Sequence, residues 1–373
     1  MSSGAVTADA RADRVARADT GAPVGAGAPV GAGAPAPEAR PRPARLQALD
    51  AARGLAIVVM LVVMNPGPSH HLPAQLHHPE WHGLTFADLF FPLFLFAMGV
   101  SMTLSSRGLE VRHVLYRAGV LFVLGVALAS LRHETFGRTG VLQHIAVSSL
   151  VALAVLKLPR RAQPVAAAAL VLAYWAAFEL LAPGSDAWSQ SGTLAHRVDR
   201  VLLDGFTTEG SLQSLVSGVT VVAGAFVGRL IKAVPDRRRL AGRLAAWAVG
   251  LIAFGALFAT VVPLNKRLWS PSFNVLTIGT SVAWLALGIW LIDVWGARRV
   301  TAPLVHLGTN PIAIYIGFFT GWAILGNHGG SSLPDLALFG HPAVGAYLWA
   351  FGWTALWWLV AYALYRRRIF IKL

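Results

Sequence analysis

From Leu46 onward the chain passes through ten apolar segments of bilayer-spanning length, at approximately 48–65, 85–105, 114–132, 139–157, 163–182, 211–231, 241–262, 273–295, 303–325 and 343–365. A membrane helix needs about 20 consecutive apolar residues, and hydrocarbon offers no water to an open backbone, so helices are the economical solution. The expected fold class is therefore all-α: a polytopic membrane protein of about ten transmembrane helices. Composition agrees, since 55% hydrophobic and 13% charged residues, with 18 Phe and 13 Trp, are too apolar for a soluble domain of 373 residues. The absence of cysteine excludes disulfides, thiolate nucleophiles and thiolate metal sites.

Residues 1–45 are of another kind. The run GAPVGAGAPVGAGAPAPEARPRPAR has no aromatic residue and almost no large apolar one, so it cannot bury enough surface to offset the entropy of ordering. It reads as a disordered Ala/Pro/Gly-rich cytoplasmic tail preceding a membrane domain, 46–373. It has no apolar core or cleavage site of the signal-peptide kind. The formal charge of +14 suggests nucleic acid until the charges are placed. With the tail inside, 24 of the 31 Lys and Arg fall on the cytoplasmic side. Six fall outside (Arg132, Arg138, Arg197, Arg200, Lys266, Arg267), and Arg53 lies in the first helix. So steep an asymmetry predicts cytoplasmic termini and a lipid bilayer as partner, and removes nucleic acid from consideration.

On that topology the loops at 66–84, 183–210 and 326–342 face outward, and the Arg-rich turns 106–117 and 229–243 face the cytosol. The first outer loop holds five histidines (His70, His71, His77, His78, His82) and leads into a 17-residue apolar run, Phe86–Met102, with one charge near its start. A histidine loop outside and a basic face inside suit the transfer of a group from a phosphorylated cytosolic carrier to an external acceptor. They also suit a transporter or flippase for a sugar-linked molecule, and a pH-sensing membrane protein.

The run LDAARGLAIVVM…MN…HPEWHGLTFADLFFPLFLFAMGVSM resembles the start of the catalytic domain of the heparan-alpha-glucosaminide N-acetyltransferase family, with its bacterial transmembrane acyltransferase relatives. The likeness continues through GVLQHIA, TTEGSLQSLVSGVTVVAGAFVGRLI, PLNKRLWSPSFNVLTIGTSVAWLALGIWLIDV, HLGTNPIAIYI and LYRRRIFIKL, and so covers nearly everything after Leu46. The resemblance implies a multi-pass enzyme of the bacterial inner membrane that takes an acyl group from cytosolic acetyl-CoA and places it on an amino sugar or other glycan at the outer face. It leaves open whether the chain forms a homo-oligomer. The family's active histidine lies in a His-x-x-Trp-x-Gly-Leu pattern, which here is His78, Trp81, Gly83 and Leu84, and its partner asparagine corresponds to Asn65. An imidazole suits either role expected of it, base or acyl-accepting nucleophile, near neutral pH. The Asn65 amide could polarise a thioester carbonyl.

Ordinary uses of these residues compete with the catalytic ones. A loop histidine is usually solvated, and Asn65 before Pro66-Gly67-Pro68 also ends a helix. Zinc is not expected, because the His-His-x5-His-His-x3-His spacing follows no familiar ligand pattern. Thr85-Phe86-Ala87-Asp88 fits a capping box, which would place the Asp88 carboxylate at the start of the second helix, where it could also orient an imidazole or the acceptor amine. Trp81 serves as an interface anchor or a sugar-stacking platform, with His82 beside it. Asp50 and Arg53, one turn apart, make a helix-start ion pair, or Arg53 joins Arg117 and Arg112 at the CoA phosphates. Asn310, inside the ninth apolar segment, needs a partner or a ligand at that depth, and a bond between helices is the simpler use.

The chain departs from the family in four respects. His144 replaces an arginine found in many relatives, and His82 an asparagine of the animal enzyme. Ten spans are counted where eleven are expected, and the animal enzyme's large lumenal domain has no counterpart. The last point suggests a bacterial cell-surface or recycled amino sugar as acceptor.

Overall fold

A computed structural model describes residues 46–64, 73–131, 140–181, 186–203, 205–207, 209–326 and 342–371. Asn65, His70, His71 and the tail 1–45 lie outside the described residues. Every regular element among the described residues is helical, and no strand occurs. In chain order they are α1 (Gln47–Val63), a 3-10 turn (Ala74–Leu76), a second 3-10 turn (Phe86–Leu89) running into α2 (Phe90–Leu104), α3 (Val111–Leu131), α4 (Val141–Lys157) and α5 (Ala162–Leu180). A short amphipathic α6 (Leu194–Leu202) follows, then α7 (Ser211–Val216) continuing as α8 (Gly218–Ala233), and α9 (Arg237–Phe258). The last are α10 (Pro271–Gly288) with a π-helical end to Val294, α11 (Arg298–Thr309), α12 (Pro311–Gly326) and α13 (Pro342–Arg366).

Among the described residues seven helices are long and apolar enough to cross a bilayer, and an eighth crossing results if the bent pair α11–α12 is one span. Helices α1 and α4, at 17 residues each, rise only about 26 Å against a hydrocarbon core of about 30 Å. The expected ninth span is not a straight helix. It bends by 71° at Asn310–Pro311, because Pro311 supplies no N–H and forces Asn310 out of helical geometry, to φ −132° and ψ 49°.

Burial separates the helices into a centre and a surround. The spans containing α2 and α8 are 78% and 72% buried within the protein, whereas those of α5 and α13 are 22% and 17% buried and turn apolar side chains outward. The centre is tight because α2 and α8 cross through small residues. A Cβ on Gly99 would lie 1.9 Å from the Val221 carbonyl oxygen, and one on Gly224 2.0 Å from that of Phe96. Close backbone approach of this kind replaces the hydrophobic drive that lipid removes. The Thr103 hydroxyl ties the two helices further, donating to the Ala225 carbonyl at 3.0 Å.

Candidate active site

Three loops meet at one end of this bundle. The first precedes α2, the second lies between α5 and α7, and the third joins α9 to α10. Hydrogen bonds fix them together: Gly83 N–H donates to the Leu264 carbonyl at 2.9 Å, and the Trp81 indole N–H to the Trp188 carbonyl at 2.7 Å. Gln213, fully buried at the start of α7, donates to the carbonyls of both Thr207 and Arg267. The third loop is stiffened by Asn265, whose side-chain oxygen accepts from Leu268 N–H at 2.8 Å and whose own N–H donates to the Ser270 hydroxyl at 3.0 Å.

Gly83 has φ +121°, a conformation closed to residues with a Cβ, so the motif's glycine turns the chain sharply between Trp81 and the α2 approach. Thr85 then starts the 3-10 turn with the expected capping arrangement. Its backbone N–H and its hydroxyl both donate to Asp88 Oδ2, each at 3.0 Å. Asp88 is thereby fixed with no solvent exposure, and its second oxygen, Oδ1, is left for other partners.

Two groups take it. His78 Nδ1 lies 2.6 Å from Oδ1, and Lys266 Nζ lies 3.5 Å away. A carboxylate can only accept, so Nδ1 carries a proton and donates it to Oδ1. Lys266 Nζ stands 3.1 Å from Nδ1 and 2.9 Å from Nε2 of the same ring. Burial pushes the Lys266 ammonium below the ordinary lysine range, and the charge of Asp88 opposes that shift. The Asp88 and Lys266 side chains are 0% and 13% exposed, that of His78 38%, so the imidazole is the member open to a reactant. His78 and Lys266 line a cleft of about 100 Å³ together with Pro79, Trp81, Gly83 and Arg267.

Aromatic rings form one wall. Trp81 packs against His196 and Phe206, with centroids 5.9 and 6.1 Å away, and those two stack on each other at 4.1 Å. Burial depresses the His196 imidazole and raises the carboxyl of Asp199, which accepts from Ser211 N–H at 3.0 Å and holds the second loop. His82 is held by the Asn265 side-chain amide at 3.3 Å, outside the cleft lining. Below the site, fully buried His144 bonds Ser217 Oγ through Nε2 at 2.7 Å and packs edge-on to Phe91.

The remaining predicted residues are elsewhere. Arg53 faces Asp50 at 3.5 Å and donates to the Ser101 hydroxyl of α2. Arg112 is exposed at the start of α3, and Arg117, one helix face along, is half-buried with Nε unpartnered. Asn310 donates to the Ile369 carbonyl at 2.9 Å and accepts from Ile371 N–H at 2.7 Å, so its amide clamps the C-terminal segment. Among the described residues no group of three or more His, Cys, Asp or Glu could hold a metal ion. Sequence reading missed Lys266. Its signal was present, as a lysine in the PLNKRLW segment of an outer loop, but nothing in the spacing joined it to a histidine 188 residues away.

Comparison with known proteins agrees with the resemblance seen in the sequence. Residues 45–195 match the family model described as "Heparan-alpha-glucosaminide N-acetyltransferase, catalytic". The chain is 25% identical to the heparan-alpha-glucosaminide N-acetyltransferase of Homo sapiens over 89% of its length, and 26% identical to that of Mus musculus over 88%. It spans 60% of the length of each of these relatives. The family match contains His78, Trp81 and Asp88, and ends before Lys266.

Proposed function

We propose that this protein is a membrane-embedded acyltransferase that moves an acetyl group from cytosolic acetyl-CoA to an amino sugar or related glycan at the outer face of a bacterial inner membrane. The observation that carries the reading is the His78–Asp88 pair. An imidazole is oriented at 2.6 Å by a buried, doubly hydrogen-bonded carboxylate, with its other nitrogen at a cleft. His78 Nε2 is the base that takes the acceptor's proton, or the nucleophile that first receives the acyl group. In either route the thioester C–S bond breaks, a bond to the acceptor nitrogen or oxygen forms, and CoA leaves as the thiol. Asp88 holds the tautomer, and Trp81 with His82 offers the face on which a sugar ring is received. Asn65 polarises the thioester carbonyl in this scheme.

The membrane arrangement belongs to the same proposal: ten crossings with both termini cytoplasmic, the three-loop site outside, and Arg53, Arg112 and Arg117 on the CoA side, with Asn310 near the end of that path. The names of the relatives supply the reaction class, and the basic inner turns support the direction of transfer.

The test is thiol release from acetyl-CoA by the purified chain in detergent, with and without glucosamine. Glucosamine-dependent release is expected from the native protein and is expected to vanish in a folded His78→Ala variant. Full activity in that variant, or no release across a panel of acyl-CoAs and amino sugars, removes the reading and makes sugar transport the function to test.

A further inference from the structure

The buried Asp88 carboxylate must have a counter-charge, because an unpaired ion there would cost several kcal/mol. Two groups can supply it. His78 at 2.6 Å would do so as an imidazolium, which would leave Nε2 protonated and unable to act as a base. Lys266 at 3.5 Å would do so as an ammonium and leave the imidazole neutral. Ordinary lysine holds its proton about four pH units higher than ordinary histidine, and while burial lowers the Lys266 ammonium, the charge of Asp88 beside it acts to keep it protonated.

The position of Nζ supports the same assignment. The in-plane lone-pair axes of Nδ1 and Nε2 diverge, and an atom about 3 Å from both nitrogens lies on neither axis. Lys266 therefore stands against the ring and acts on it as a charge, leaving Nε2 its lone pair. A cation so placed opposes any second positive charge on the imidazole.

We propose that Lys266 is a positioning residue of the site: its ammonium neutralises Asp88 in place of His78, so that Asp88 can orient the imidazole without protonating it. This rests on the reading of His78 as base or nucleophile, both of which need a neutral ring. The other titratable or charged groups around the trio are Arg267 on the third loop, Glu209 on the second, His77, Glu80 and His82 on the first, and His144 below. Arg267 adds positive charge and Glu209 negative, so neither replaces a cation in contact with the ring.

The experiment reads the ring directly. Diethyl pyrocarbonate acylates neutral imidazole, and peptide mass spectrometry resolves His78 from the other histidines. The rate of modification of His78 is followed from about pH 5 to pH 9 in the full chain in detergent, for the native protein, Lys266→Met, Lys266→Gln and Lys266→Arg. The native ring is expected to react readily at pH 7. Lys266→Met and Lys266→Gln should move the midpoint of reactivity to higher pH by about one unit or more, a tenfold loss of the neutral fraction below it. Lys266→Arg should leave it nearly in place. If the midpoints of both neutral variants match the native one, or if the native ring is already protected at pH 7, the proposal is overturned. Even if the variants do not fold, a native ring protected at pH 7 overturns the proposal. No turnover is involved, so a protein that proves not to be an acetyltransferase can still show the effect, and an active one can still lack it. For an active protein, the acidic limb of kcat/KM should move with the same sign in the two neutral variants. A uniform loss at every pH would instead indicate a structural role.

Discussion

Asp50 and Asp88 are both buried carboxylates at the start of apolar helices, 3% and 0% exposed, and they are used differently. Asp50 meets Arg53 three residues on in the same helix, and Arg53 reaches across to Ser101, so this pair ties α1 to α2. Its arginine is charged at every accessible pH. Asp88 meets a histidine from the preceding loop and a lysine from a loop much later in the chain, both titratable and both lining a cleft. A carboxylate served by a permanent local charge contributes a tie between helices. One served by two titratable groups, brought together by separate loops, contributes chemistry under the proposed function.

The largest test of that contrast is activity. Asp88→Asn and His78→Ala should each lower glucosamine-dependent CoA release by about 10²- to 10⁴-fold, the range of a lost general base or its orientation. Asp50→Asn should change it far less once stability is matched. Equal losses at the two aspartates would erase the distinction.

Stability should show the reverse ranking. Gly308 on α11 lies against α1 so closely that a Cβ would stand 1.7 Å from the Asp50 carbonyl oxygen, and one on Gly54 would stand 1.8 Å from that of Leu304. Gly308→Ala must push two backbones apart at a crossing that repeats small residues on both sides. A loss of about 1–3 kcal/mol or more is expected, read as a lower thermal midpoint in detergent. If the midpoint is unchanged, the α1–α11 contact is looser than this crossing requires.

Gly83→Ala belongs between these extremes, because it touches the cleft through the backbone alone. With φ at +121°, an alanine is strained by about 1–3 kcal/mol, and the turn that carries Trp81 and its bond to Trp188 must shift. Roughly a tenfold fall in kcat/KM is expected, equivalent to about 1.4 kcal/mol, together with a lower unfolding midpoint that reflects the backbone strain. A normal rate in this variant would show that the cleft tolerates movement of its first loop.

How much of this was legible in the sequence follows from what each feature depends on. The apolar runs fixed the helices α2, α3, α5, α9 and α10 closely, since a bilayer-length run of apolar residues admits little else. Breaks within runs were harder to see. The ninth segment was read as one span although Asn310-Pro311 stands within it, and the proline was the signal that bends it. The amphipathic α6 sat in what read as an outer loop, because Leu194–Leu202 is too short and too charged for a span. At the site, the Thr85–Asp88 cap is local and was readable, whereas an imidazole was only one of two groups, with the acceptor amine, that Asp88 was read as able to orient. Lys266 was not readable, because its contact with His78 is made by the packing of α10 beside α2 and leaves no periodic trace.

The smallest expected effect is at Arg53, and it bears on the comparison most finely. Arg53→Lys keeps the charge beside Asp50 but gives up the planar fork that serves Asp50 and Ser101 together. If Arg53 only ties the helices, the change should cost about 0–1 kcal/mol of stability and leave the KM for acetyl-CoA within about twofold. If it also holds a CoA phosphate, as the proposed route requires, the KM for acetyl-CoA should rise by about tenfold while the KM for glucosamine stays put, since a phosphate contact of this kind is worth about 1.5–3 kcal/mol. The first result would confine the chemistry to the Asp88 end of the protein. The second would make the Asp50 pair both a tie and a donor site, and the contrast between the two carboxylates would then be one of substrate rather than of structure against chemistry.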